Sequence, residues 1–150
     1  MKKLHNLVAR IGDNLRSLVL LIIRLYWGWE FFLTGKGKLM NLDKTAGFFA
    51  SLNLPLPHLT AALAGTVECV GGLLLLIGLG ARLVTVPLIF TMLVAYWTAE
   101  SAELHAIFSD PDKFTGAAPF LFLYAAVLIL VFGPGKVSID EMMGKGSASK

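Results

Sequence analysis

The sequence predicts an all-α integral membrane protein, a four-helix bundle with a short interfacial helix between its first and second spans. Hydrophobic residues make up 56% of the 150 residues and charged residues only 15%, and the mean hydropathy is +0.72. These values are extreme for a soluble globule. A soluble bundle is also disfavoured because its helices would carry a polar stripe, which segments 71–80 and 120–133 lack.

The candidate spans are four apolar blocks, at about 17–34, 60–79, 83–99 and 117–132. A helix that rises 1.5 Å per residue needs about 17 to 25 residues to cross ~30 Å of hydrocarbon. The first two blocks are long enough, and the last two lie at the short limit. The first block contains Arg24 and Glu30 and has no small-residue cleavage site, so we expect a membrane anchor rather than a cleaved signal peptide.

The first and third loops carry structural signals of their own. In the first loop, apolar residues recur at helical spacing: Leu39, Leu42, Ala46 and Phe49. Because Pro55 and Pro57 cannot continue a helix, we expect a short helix here that lies in the outer interface. The third loop is acidic, and its segment 110–113 predicts a turn.

The distribution of basic residues predicts the orientation. Eight Lys and Arg lie in the N-terminal segment, the second loop and the C-terminal tail, against four in the first and third loops. Since cytoplasmic segments carry the excess, both termini are expected in the cytoplasm. Residues 1–16 then form a cytoplasmic segment, 17–133 the transmembrane domain and 134–150 a flexible cytoplasmic tail.

Charged residues inside the spans are the main candidates for function. At ~100° per residue, one face of the first span collects Arg24, Gly28, Phe31 and Gly35, with Trp27 beside them. A face of the second span collects Gly65, Glu68, Gly71, Gly72, Leu75 and Leu79. Small residues allow helices to approach closely, and ionisable residues within a membrane point into the bundle. Gly28, Gly35, Gly71 and Gly72 are therefore predicted to be structural.

Arg24 and Glu68 are predicted to form an ion pair. Counted from the cytoplasmic ends of antiparallel helices, Arg24 lies ~10 Å deep and Glu68 ~16 Å deep, an offset that an Arg side chain can bridge. Two interpretations stay open for the pair. It holds the helices in register, or it polarises a ligand-binding cavity.

Glu30 is the candidate catalytic residue because the spans contain no further obvious cation for it. A carboxyl in a low dielectric favours its neutral form, which suits proton exchange. Glu30 is then neutral, hydrated or functional. Trp27 and Tyr96 lie toward the outer halves of their helices, where they either anchor the protein at the interface or flank a cavity for a quinone-like molecule. Arg24, Trp27, Glu68 and Tyr96 are thus the candidate ligand-binding residues.

Several other kinds of site are not expected. The basic residues lie in tails and between apolar blocks, so no nucleic acid is predicted. Cys69 is the single cysteine, which excludes an intrachain disulfide. The outer parts of the chain bring four potential ligands near Glu30, namely His58, Glu100, Glu103 and His105. Interfacial histidines are mostly solvated, and we predict neither a metal site nor an intrinsic cofactor.

The order of these elements resembles the DoxX family of small bacterial inner-membrane proteins. The matching elements are an Arg in the first span, "GWEFFLTGKGKL", paired Phe residues, "LPLP", "GTVECVGGLLLLIGLGAR" and "LVAYWTAE". The matching positions are Arg24, Gly28, Gly35, Lys38, Glu68, Gly71, Gly72 and Arg82. The resemblance implies four helices and an association with oxidoreductase assemblies, but no agreed catalytic residue.

Three hypotheses on function follow. The first is a membrane subunit of an oxidoreductase system that holds a quinone-like molecule and works with a soluble or membrane-bound redox partner, at most as an accessory subunit. The second is a non-enzymatic scaffold or assembly factor. The third is a small-molecule transporter, although four short helices leave little room for alternating access without homo-oligomers.

Overall fold

The computed structural model describes the backbone of residues 2–147 and the side chains of residues 6, 11, 12 and 15–144. All regular structure in this range is helical. In chain order the helices are α1 (Lys2–Met40), α2 (Leu42–Ser51), α3 (Pro57–Ile77), α4 (Ala81–Thr98), α5 (Ser101–His105), α6 (Pro111–Gly116), α7 (Ala118–Phe132) and α8 (Ile139–Ser147).

The helices confirm a membrane bundle. Within α1, Leu15–Met40 is long and apolar enough to cross a membrane, as are α3 and α4. Helix α7 is apolar but shorter, at 15 residues. Large apolar side chains are exposed on the outside of all four helices, where only contact with lipid acyl chains stabilises them.

The four long helices associate as two pairs. Helix α1 packs along α3, and α4 along α7, while contacts of α3 with α4 and of α1 with α7 close the bundle. The core between the pairs consists of Phe31, Leu75, Ala81, Leu88, Met92, Ala126 and Ile129. Because the pairs are antiparallel, the bundle has one end that holds Ser17 and residues 133–141, which we call the terminal end. The other end holds α2, α5 and α6, and we call it the hairpin end.

The terminal end differs from the flexible tail expected from residue 134. The Lys136 backbone N–H donates to Ser17 Oγ at 2.9 Å. The Asp140 carboxylate accepts hydrogen bonds from the backbone N–H groups of Gly80 (2.6 Å) and Ala81 (2.9 Å), and the Asp140 N–H donates to the Gly78 carbonyl. The two bonds to the carboxylate satisfy N–H groups that the first turn of α4 leaves without a helical partner. Residues 134–141 are therefore bound to the bundle.

The hairpin end contains the short helix expected in the first loop. Helix α2 packs on α3 through the buried Ala46. His58 Nε2 lies 3.4 Å from Asp43 Oδ1, which joins the first turns of α2 and α3. The third loop turns where expected, since the Lys113 N–H donates to the Asp110 carbonyl at 3.1 Å and α6 begins at Pro111.

Candidate functional site

Glycines bring the backbones of α1 and α3 into contact. A methyl group placed on Gly72 would lie 2.6 Å from the Gly28 carbonyl oxygen, and one on Gly35 would lie 2.7 Å from the Gly65 carbonyl oxygen. Only residues without a side chain permit such an approach. Gly71 is also buried, but it faces Leu88 of α4 rather than α1. The two glycine contacts, seven residues apart on each helix, hold α1 and α3 in one register.

A buried ion pair lies next to this contact. The Lys38 ammonium donates a hydrogen bond to Glu68 Oε2. The Glu68 side chain is only 2% exposed, whereas that of Lys38 is 29% exposed. Glu68 is eleven residues into the 21-residue helix α3, about 16 Å along its axis, so the carboxylate lies near the middle of the span. Ionisable groups at this depth are costly unless they are paired.

The partner of Glu68 was missed at the sequence level because the first apolar block ends at Thr34. The hydropathy pattern places the "GKGK" segment that follows in the first loop, whereas α1 continues to Met40. A signal for Lys38 was present in the spacing. Positions 24, 28, 31, 35 and 38 follow a continuous heptad-like pattern, which places Lys38 on the inward face if the helix does not end.

The predicted Arg24–Glu68 ion pair is wrong. Arg24 is 3% exposed, and its guanidinium donates to the carbonyls of Pro134 at 2.8 Å and Val137 at 2.7 Å. It also lies against Gly78, where a methyl group would stand 2.6 Å from Arg24 Nη1. Gly78 is the left-handed cap of α3, with φ 71°. Arg24 therefore belongs to the terminal end of the bundle.

The register of the two helices explains this correction. The Gly28–Gly72 contact places Arg24 level with Gly78, ten residues from Glu68, or about 15 Å along α3. That distance is too great for a direct ion pair. Arg24 instead provides hydrogen-bond donors for two carbonyls that follow the end of α7.

Glu30 lies on the same stripe of α1 as Thr34 and Lys38, at intervals of four residues. Its side chain is half-buried, and no described residue forms a hydrogen bond or ion pair with it. The Thr34 hydroxyl donates to the Phe31 carbonyl at 3.0 Å. The stripe is polar within an apolar span, and it leads from Glu30 to the Lys38–Glu68 pair.

The two aromatic candidates have different partners. The Trp27 ring meets Phe122 of α7 edge-on, with centroids 4.9 Å apart, and Phe122 also meets Phe31 at 4.8 Å. The Tyr96 hydroxyl donates to the Phe114 carbonyl at 2.7 Å, and its ring stacks on the Phe114 ring at 5.0 Å. Trp27 thus joins α1 to α7, whereas Tyr96 joins α4 to α6.

The four potential metal ligands of the outer loops form no cluster. His58 lies beside Asp43, and His105 Nδ1 is 2.6 Å from the carbonyl of Ser101 in its own helix. Across the described residues, no three His, Cys, Asp or Glu side chains come together. Cys69 is half-buried, and its backbone lies in the α1–α3 contact.

The chain is similar to several bacterial membrane proteins. The DoxX family model matches residues 19–101. "Putative oxidoreductase CatD" of Bacillus subtilis is 29% identical over 84% of this chain and 87% of its own length. "Inner membrane protein YphA" of Escherichia coli is 28% identical, over 84% and 91% respectively. "Uncharacterized membrane protein Rv3486" of Mycobacterium tuberculosis is 32% identical, over 82% and 80%. No solved structure matches the chain.

Proposed function

This chain belongs to the DoxX family, and we propose that it is an accessory membrane subunit of an oxidoreductase system in the bacterial inner membrane. The redox centre resides in a partner protein. The names of two relatives support this proposal, since one contains "oxidoreductase" and another "inner membrane". The structural observation that carries it is the Lys38–Glu68 pair, buried at mid-span in an otherwise apolar bundle.

The pair is more than a device for helix packing. The glycine contacts of Gly28 with Gly72 and of Gly35 with Gly65 already set the register of α1 and α3. A buried ion pair adds little stability, because the desolvation of both charges offsets their attraction. Ionisable residues within membrane helices instead mark ligand, ion or proton pathways. The pair is therefore the centre of the proposed site.

The proposed ligand is a quinone-like molecule. An ammonium group has three N–H donors, of which Lys38 uses one for Glu68, so a ligand carbonyl can accept another. Trp27 of α1 and Phe122 of α7, both half-buried, supply aromatic surface between these two helices. When bound, a quinone would carry electrons and protons between the partner and the membrane. Glu30, which has no partner among the described residues, would exchange the protons.

We also propose that the terminal end faces the cytoplasm. The eight Lys and Arg residues assigned to this side outnumber the four of the hairpin side. Because segments rich in Lys and Arg stay on the cytoplasmic side of the membrane, this excess orients the bundle. Under this orientation Lys38 would reach Glu68 at mid-span from the outer end of α1.

The quinone content of the purified protein tests the proposal. The full chain would be extracted from its own membrane in a lipid-preserving polymer, and the quinone-to-protein ratio would be measured by mass spectrometry. We expect near-stoichiometric quinone in the wild type and an at least tenfold lower ratio in Lys38→Met. Lys36→Met is the matched control, because Lys36 lies on the same helix but is exposed, and it should retain the wild-type ratio.

A second variant, Glu30→Gln, keeps the proposal testable if Lys38→Met does not fold. Glu30→Gln removes the proton-exchanging group without breaking a hydrogen bond to any described residue. It should keep the bound quinone and lower quinone reduction in membranes that contain the partner. A bundle that retains only phospholipid, together with unrelated membrane proteins, would contradict the proposal and favour a scaffold.

A further inference from the structure

Two adjoining cavities open at the terminal end of the bundle. The larger, about 860 Å³, lies between α1, the start of α4, the end of α7 and residues 133–141, and its lining includes Arg16, Arg82 and Lys136. The smaller, about 340 Å³, is a groove between α1 and α7 whose lining is apolar apart from Arg16. Arg16, Leu20 and Phe132 line both cavities, which are therefore adjacent.

The larger cavity is basic. Arg16 Nη2 lies 3.4 Å from the Phe132 carbonyl, and Arg82 Nη2 lies 3.4 Å from the Val131 carbonyl. Both guanidinium groups thus sit at the C-terminus of α7, where carbonyl groups attract cations. Each guanidinium has five N–H donors and uses one of them in these long contacts. Most of its donors are available to a ligand.

The acidic residues of the cavity do not cancel this charge. Asp140 and Glu141 both line it, against three cations. The Asp140 oxygens already accept hydrogen bonds from the first backbone N–H groups of α4. The Lys136 side chain is exposed. An anionic group entering the cavity would therefore meet three cationic side chains, two of them capable of bidentate contact with a phosphate.

We propose that the two cavities together bind one anionic phospholipid. Its phosphate would contact Arg16, Arg82 and Lys136 in the larger cavity, and one acyl chain would lie in the groove between α1 and α7. A basic cavity that adjoins an apolar groove and shares three lining residues with it matches a molecule with a charged head and a hydrocarbon chain, whereas a soluble phosphate would leave the groove unused. Basic pockets at helix ends are the usual sites for anionic headgroups. This inference does not depend on the proposed redox role.

Lipid binding to the delipidated full-length protein tests the proposal. Native mass spectrometry would be used to titrate phosphatidylglycerol, phosphatidylcholine and inorganic phosphate separately. We expect phosphatidylglycerol to bind at least tenfold more tightly than phosphatidylcholine. Removal of any one cationic side chain should weaken the binding of phosphatidylglycerol about fivefold, which is the effect of one basic residue near an anionic headgroup. The variants are Arg16→Gln, Arg82→Gln and Lys136→Gln.

Lys136→Gln is expected to fold normally, because the described side chains form no hydrogen bond or ion pair with the Lys136 ammonium. A loss of affinity in this variant therefore reports on the lipid site. Lys36→Gln is the matched control at the hairpin side and should leave the affinity unchanged. Equal binding of the two phospholipids would overturn the proposal, as would an equal loss in Lys36→Gln and Lys136→Gln. If inorganic phosphate binds as tightly as phosphatidylglycerol, the ligand is a soluble anion and the lipid assignment is overturned.

Discussion

Gly35 of α1 faces Gly65 of α3 so closely that a methyl group on Gly35 would stand 2.7 Å from the Gly65 carbonyl oxygen. The same methyl group would come closer still to the Cys69 backbone nitrogen. Because these are backbone atoms, neither can move aside without separating the helices. The contact lies one turn from Lys38, so the packing of α1 on α3 and the position of the ion pair are set together.

Gly35→Ala should therefore destabilise the bundle by about 3 kcal/mol, the upper end of the cost of overpacking. The free energy of unfolding in mixed detergent micelles would be measured by circular dichroism. Gly37→Ala is the control, since no atom lies within 4 Å of the position of its methyl group. That control should be neutral or stabilising through helix propensity. Equal losses in the two variants would argue against the close α1–α3 contact.

The Lys38–Glu68 pair should respond asymmetrically to the removal of one partner. Lys38→Met leaves the fully buried Glu68 unpaired and should cost about 3 kcal/mol. Glu68→Gln should cost less, because the Lys38 side chain is partly exposed and its ammonium can shift toward more polar surroundings. The double variant Lys38→Met/Glu68→Gln should lose less stability than the sum of the two single variants, because it leaves no unpaired charge. Additive effects of the two single substitutions, in the same unfolding assay, would speak against the pair.

Arg24→Leu should release the C-terminal segment from the bundle. The substitution removes the charged donor to the Pro134 and Val137 carbonyls, and a hydrogen bond to a charged group contributes about 1.5–3 kcal/mol. Limited proteolysis and hydrogen exchange of residues 134–144 would detect the release. Arg24→Lys should restore only part of the protection, because one ammonium does not reproduce the forked geometry. Protection that is unchanged in Arg24→Leu would refute this role.

Tyr96→Phe should loosen α6 while the bundle stays folded. It removes the hydroxyl that donates to the Phe114 carbonyl at 2.7 Å and should cost about 1 kcal/mol. Hydrogen exchange should rise in residues 110–117 and stay unchanged in α1 and α3. Tyr124→Phe is the matched control, because Tyr124 is 55% exposed and its hydroxyl has no hydrogen-bond partner among the described residues. Faster exchange throughout the bundle in Tyr96→Phe would instead indicate a general loss of packing.

The sequence by itself determined the all-α membrane architecture, the presence of four apolar segments and the inward faces of the first two. These properties are local, since hydropathy, the rise per residue and the 100° rotation depend only on neighbouring positions. They place Arg24, Gly28 and Gly35 on one face of α1. They also identify the family, because its elements occur in a characteristic order along the chain.

Only the tertiary structure decided which charges meet. Helical periodicity specifies the face of a side chain but not how far one helix slides along another, and here the glycine contacts set that register. They place Glu68 opposite Lys38 and move Arg24 to the terminal end. There the chain returns after α7 and presents the carbonyls of Pro134 and Val137. Contacts between positions more than a hundred residues apart depend on helix packing and on that reversal, which no local pattern encodes.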